Sequence, residues 1–181
     1  GLVFQHSIAA GLAARAVLRV GRIRLPLQPD EAFVYGLLHD IGKIILEDYM
    51  AEDLMQAEEV SRSRRIPAYQ VECEVIGADH AEVGGRLAMN WRLPESIASA
   101  ILAHHDLSRC DNDDSRRYAA LLNVADAMCI EAGLPSYEGA VVGDSGESWA
   151  LLGVESVTIP AIMDDFFASM PEVQELTEAM S

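Results

Sequence analysis

Along this chain, apolar positions recur with the 3.6-residue period of a helix in one segment after another. From Leu2 to Val20, Phe4, Ile8, Leu12, Ala16 and Arg19 fall at helical spacing, with alanines filling between them. Gly21 to Pro29 reads as a loop that ends in Gln28-Pro29-Asp30. Pro29 and Asp30 suit the first turn of a new helix, where a fixed φ costs nothing and an acid faces the positive end of the dipole. That helix is predicted from about Asp30 through Leu46, re-angled around Gly42.

Glu52 to Arg64 is a polar helix whose Glu58, Glu59 and Arg62 read as a solvated face. Pro67 opens another helix, with Gly77 as its terminating glycine. Asp79 offers an N-cap, and Glu82 follows at capping-box spacing. A helix from His80 to Trp91 comes next, then one from Leu93-Pro94 to His105. Asp106 to Ser115 is acidic and polar, so a loop. Arg116 to Ala132 is helical and ends at Gly133-Leu134-Pro135. Ser136 to Glu147 is the longest irregular stretch. Short helices over Ser148 to Leu152, Ile159 to Ser169 and Pro171 to Met180 close the chain. No segment sustains a period of two. The predicted class is all-α, and the second-best reading adds one hairpin near Val141-Val142. Residues 1–135 are expected to form the core, with 136–181 packing on the same domain.

Composition narrows the function. The chain has 181 residues and a formal net charge of −16, from 13 Lys and Arg against 29 Asp and Glu. That length fits one domain with a real core. Without a basic stripe, such a chain is not expected to bind nucleic acid or an anionic membrane, because both interactions rest on Lys and Arg. No apolar run approaches the roughly 20 residues that a membrane helix needs. No signal peptide is visible, because Arg15 and Arg19 interrupt the N-terminal apolar stretch, so a cytoplasmic location is expected. Cys73, Cys110 and Cys129 form no CxxC and read as reduced thiols, two of them buried in helical patterns. Trp91 and Trp149 read as core or helix-junction aromatics.

The chemistry sits on five histidines and two aspartates. His39-Asp40 falls inside an apolar helix, in Gly36-Leu37-Leu38-His39-Asp40-Ile41-Gly42-Lys43. Both side chains need partners if buried. A divalent metal supplies them, since imidazole and carboxylate are ordinary ligands for zinc, iron, manganese or nickel. Neighbouring helical residues point about 100° apart, so further ligands must come from other helices. Lys43 is set to neutralise a phosphate oxygen beside the metal. His104 and His105 form a second pair, His80 starts a helix, His6 lies in the first helix, and Asp126 interrupts an apolar run. Glu72 and Glu74, upstream of His80, read as surface acids.

The order His6, His39-Asp40, Asp126 resembles the H…HD…D pattern of the HD superfamily of metal-dependent phosphohydrolases. His80, His104 and His105 resemble the larger ligand set of its multinuclear members. Several motifs are closer still to the HDOD family (HD-related output domain) of bacterial signalling proteins. They are Gln5 to Ala10, Gly36 to Lys43, Asp79 to Gly85, Trp91-Arg92-Leu93-Pro94, Ile101 to His105 and Val124-Ala125-Asp126. No Gly-Tyr-Pro follows His105, so the cyclic dinucleotide hydrolysis of HD-GYP proteins is not expected.

The resemblance implies an all-α bundle with the metal between central helices. It implies that His6, His39, Asp40 and Asp126 hold one ion, with Asp40 bridging to a second held by His80, His104 and His105. It places Lys43 on substrate phosphate. Family members carry a helical segment before the first His helix, so a preceding segment is expected here.

Three functions follow. The first is a phosphohydrolase using one or two divalent ions (iron, manganese, zinc, nickel or magnesium) on a small phosphate-bearing ligand. The second is a non-catalytic signalling module with a structural metal and a protein partner. The third is a di-iron oxygenase.

Overall fold

The computed structural model describes residues 1–179. It is built from helices α1 (Leu2–Val20), α2 (Pro29–Leu38), α3 (Ile41–Tyr49), α4 (Ala51–Arg64), α5 (Ala68–Val75) and α6 (His80–Asn90). These continue into α7 (Glu95–Ala103), α8 (Asp113–Glu131), α9 (Gly146–Leu152), α10 (Ile159–Ala168) and α11 (Met170–Ala179). No strand occurs among the described residues, so Val141-Val142 forms no hairpin. No helix among them is long and apolar enough to cross a membrane.

α1 and α8 are the centre of the bundle. α1 is buried on nearly every side, from Val3 through Leu18, and α8 is buried from Ala119 through Cys129. A helix that is apolar all round belongs in a core. The side chains that meet there include Ile8, Leu12, Leu121, Leu122 and Ile101. Each such burial contributes about 1.5–3 kcal/mol. α2 and α8 pack on α1, and α7 packs on α8. α10 and α11 pack on α1 from the C-terminal end. Ile162 and Phe166 enter the core there, and Arg15 and Arg19 pair with Glu172 and Asp165.

Small residues set the helix spacing. A Cβ on Gly36 would overlap the Ala10 carbonyl, so α2 lies directly on the α1 backbone. A Cβ on Gly42 would overlap the carbonyl oxygen of His80. That contact presses α3 onto the start of α6.

Several boundaries differ from the sequence reading. The segment predicted as one helix from Asp30 to Leu46 breaks at His39-Asp40, ahead of the expected Gly42. Asp40 leaves helical geometry at φ −97°, ψ 16°, and its carbonyl accepts the Lys43 N–H as α3 begins. α8 begins at Asp113, because the Asn112 side chain caps the Ser115 N–H. The expected loop before it also contains a 3-10 turn at Leu107–Arg109. The capping box at α6 is half made. Asp79 caps the Glu82 N–H, but the Glu82 side chain turns to Arg86. Trp91 stands at the end of α6 and is 57% exposed, so it is a junction residue outside the core. Cys129 is buried, but Cys73 is exposed on α5, contrary to expectation. The end of the last predicted helix, at Met180, lies outside the described residues.

Candidate metal centre

Two helices and three helix ends bring the predicted residues to one place. His6 comes from α1 and Asp126 from α8. His39 and Asp40 come from the α2–α3 break, which frees them from the 100° spacing of a continuous helix. His80 is the first residue of α6, and His104 and His105 follow the end of α7. Every one of these residues is buried except His105, which is half-buried.

Four rings are aimed by the same device. The Nδ1–H of His6 donates to the Leu134 carbonyl, that of His39 to Gly36, and that of His104 to Ile101, each at 2.7 Å. His80 Nδ1 donates to Glu72 Oε2 at 2.6 Å. A ring whose Nδ1 proton is engaged in this way offers its Nε2 lone pair, as ligating histidines do. All four Nε2 atoms face Asp40 or Asp126. Asn123 steadies the α7 end by donating to the His104 carbonyl at 2.9 Å.

Asp40 is at the centre. Its Oδ1 lies 3.2 Å from His80 Nε2, 3.5 Å from His39 Nε2 and 3.9 Å from His104 Nε2. Its Oδ2 lies 3.6 Å from His6 Nε2. Two groups are able to hold a metal ion: Asp40 with His80, His104 and His105, and Asp40 with His6 and His39. Asp126 Oδ1 sits 3.1 Å from His6 Nε2 and 4.0 Å from His39 Nε2, beside the second group.

The donor set fits a cation. Asp40 Oδ1 and His104 Nε2 are buried without a hydrogen-bond partner among the described residues. Leaving such groups unsatisfied costs about 1–3 kcal/mol each. His6 and His39 bring Nε2 atoms to 3.3 Å, and His80 and His105 to 2.9 Å. Two lone pairs facing each other at that distance repel, so each pair of nitrogens must share a proton or a metal ion.

Electrostatics follow from burial and crowding. Burial, with His39 and His80 as neighbours, pushes His104 down to about 3. Burial beside His104 and His80 holds His105 well below its ordinary value. Burial also opposes a charge on His80, but Glu72 and Asp40 outweigh it and raise the ring to about 9. Burial would raise Asp126, but the hydrogen bond from His6 and its charge hold the carboxyl at about 2. Burial likewise disfavours the Asp40 charge, and His39, Lys43 and His80 together hold it well below the carboxylate range.

Two residues are held in ways the sequence reading did not show. Lys43 is not free to meet a ligand, since its Nζ donates to Asp40 Oδ2 at 2.8 Å and to Ser136 Oγ at 2.7 Å. Glu72, read as a surface acid, is fully buried and holds His80. A signal for Glu72 exists: Ala68, Val71, Glu72 and Val75 share one helical stripe, which places the carboxylate on the buried face. Glu74 is exposed and pairs with Arg64.

An all-α bundle with a buried His/Asp cluster able to bind metal defines an HD-like domain. Residues 2–107 match the HDOD domain, and the chain belongs to that family. It is similar to an HDOD domain protein of unknown function from Geobacter sulfurreducens, with 25% identity and a TM-score of 0.76. That match covers 96% of this chain and 60% of the other. A candidate phosphohydrolase from Shewanella amazonensis SB2B shares the fold, at 16% identity and a TM-score of 0.74 over 100% of this chain and 65% of the other. An uncharacterised protein of Treponema pallidum is 32% identical over 77 residues, which are 42% of this chain and 15% of that protein. The chain spans less than two thirds of the length of each of these relatives.

Proposed function

We propose that this HDOD domain is a metal-dependent phosphohydrolase module of a signalling protein, acting on a small phosphoester. The observation that carries this reading is that one carboxylate, Asp40, belongs to both groups able to hold an ion. A shared carboxylate is what a two-metal site needs to keep its ions about 3.5–4 Å apart. When bound, the ions supply an activated water and neutralise charge on the phosphate.

The chain's own residues do the rest. His6, His39 and Asp126 offer ligands on one side of Asp40, and His80, His104 and His105 on the other. The hydrogen bonds donated by Nδ1 fix the rings of His6, His39, His80 and His104 before anything binds, so little reorganisation is required there. Lys43 is the nearest ammonium, and once released from Asp40 its Nζ is placed to meet a phosphate oxygen. The rest of the protein is strongly acidic. The open groove of about 640 Å³ beside the site carries Glu47, Glu58, Glu59 and Glu138 against Arg62. The centre would therefore be the cationic spot in an anionic surround.

The test is hydrolysis of a broad phosphoester panel by metal-loaded protein. Turnover that disappears in Asp40→Ala supports the reading. An inert loaded protein, indistinguishable from Asp40→Ala, overturns it.

A second reading, a non-catalytic signalling module with a structural ion and a protein partner, is favoured by one observation. The space at the mouth of the centre is only about 30 Å³. A partner-dependent output that survives Asp40→Ala would support this reading.

A further inference from the structure

Between α8 and α9, residues 133–145 run without helix across the mouth of the centre. This strap is tied down at four points. The Leu134 carbonyl accepts from His6, and the Ser136 hydroxyl accepts from Lys43, both at 2.7 Å. The Tyr137 and Ser61 hydroxyls meet at 2.9 Å, and the Glu138 carbonyl accepts from Arg62 at 3.0 Å. Beneath the strap lies the cavity of about 30 Å³, bounded by Lys43, His80, His105, Asp126, Ser136 and Tyr137 among others. That is room for about one water. A phosphoester does not fit, so the strap must move before one can reach Asp40.

Lys43 links the strap to the centre. Its ammonium bridges Asp40 Oδ2 and Ser136 Oγ, and the side chain is buried. Oδ2 is also the oxygen 3.6 Å from His6 Nε2, within the group of His6, His39 and Asp40. A divalent ion held by that group would compete with the ammonium for the same carboxylate. Two cations a few ångströms apart at low dielectric repel strongly. With so little free space beside it, the ammonium can withdraw only if Ser136 gives way.

We propose that residues 135–145, hinged where the Leu134 carbonyl stays on His6, form a gate latched through Ser136, Lys43 and Asp40, and that metal binding at His6, His39 and Asp40 releases it. The same movement would open the mouth and free Lys43 for a phosphate oxygen. The proposal rests on the metal-centre reading above. It adds that metal occupancy is transmitted to the surface as a change in one segment.

Hydrogen exchange followed by mass spectrometry tests it on the whole chain. Wild type and Ser136→Ala are compared as apoprotein and with saturating zinc, with bound zinc measured on the same samples. The gate predicts that zinc speeds exchange over 135–145 several-fold in wild type. It predicts that Ser136→Ala exchanges fast there with or without zinc. Bound zinc with unchanged or slower exchange in wild type overturns the gate alone. An undiminished zinc response in Ser136→Ala overturns the latch and leaves the metal centre standing. No bound zinc overturns the metal-centre reading, and the gate with it.

Discussion

Glu72 holds His80 twice with one oxygen. Its Oε2 accepts the backbone N–H of His80 at 2.7 Å and the ring Nδ1–H at 2.6 Å. The carboxylate thus fixes both the start of α6 and the direction of the ring. Burial alone would raise the Glu72 carboxyl, but the adjacent His80 charge and hydrogen bonds outweigh it and lower it.

Removing that grip is expected to weaken metal binding without unfolding the domain. Partners that orient ligating histidines are worth about 10- to 100-fold in metal affinity. Glu72→Gln keeps the size and one acceptor but loses the charge. Competition against a coloured chelator checks the affinity, and circular dichroism checks that the helices persist. Affinity equal to wild type would show that Glu72 only braces the backbone.

Gly42→Ala tests the contact that presses α3 onto α6. The added methyl would strike the His80 carbonyl, which is backbone and cannot rotate away. Overpacking of this kind costs about 1–3 kcal/mol. Urea unfolding is expected to show a loss of that size, and metal affinity is expected to fall with it, because His80 moves away from Asp40. An unchanged midpoint would contradict the packing account.

What the sequence could reveal of this centre divides along physical lines. His39, Asp40 and Asp126 stood out because a polar residue in an apolar helical stripe demands a partner, and the resemblance to the HD pattern joined His6, His80, His104 and His105 to them. The structure brings all seven together. The helices were legible from their period. Glu72 was hidden among other acids on a short, mixed helix, although its place on the Ala68–Val71 stripe marked it. The break at His39-Asp40 carries no proline or glycine of its own. It arises from tertiary packing, as α2 lies on α1 while α3 lies on α6. The Lys43–Ser136 bond spans 93 positions, and nothing local to either residue announces it.

Metal binding is expected to release protons. His80, raised to about 9, carries a proton on both nitrogens at neutral pH and must lose the Nε2 proton to ligate. Apparent affinity should therefore climb as pH rises toward about 9 and fall in acid. Calorimetry at pH 7 in buffers of different ionisation heat should report about one proton or more released per chain. Heats independent of the buffer would contradict the His80 assignment.

The Asp79–Arg109 pair gives a separate pH dependence. Burial would raise the Asp79 carboxyl, but the Arg109 hydrogen bonds and the Glu82 N–H hold it below its ordinary value. A carboxyl whose folded pKa is depressed stabilises the fold above its unfolded value. That stabilisation is lost as pH falls through the folded value. Arg109→Leu is therefore expected to destabilise the protein at pH 7, with the gap to wild type narrowing below about pH 4. Urea midpoints across that range check it, and a constant gap would refute it.

The central claim is that Asp40 is shared by two metal subsites. Metal content of the natively purified protein, set beside that of Asp40→Ala, tests it most directly. The account predicts up to two divalent ions per chain in wild type, located by anomalous scattering on either side of Asp40, and loss of both in Asp40→Ala. A metal-free wild type, or a metal content untouched by Asp40→Ala, would contradict it.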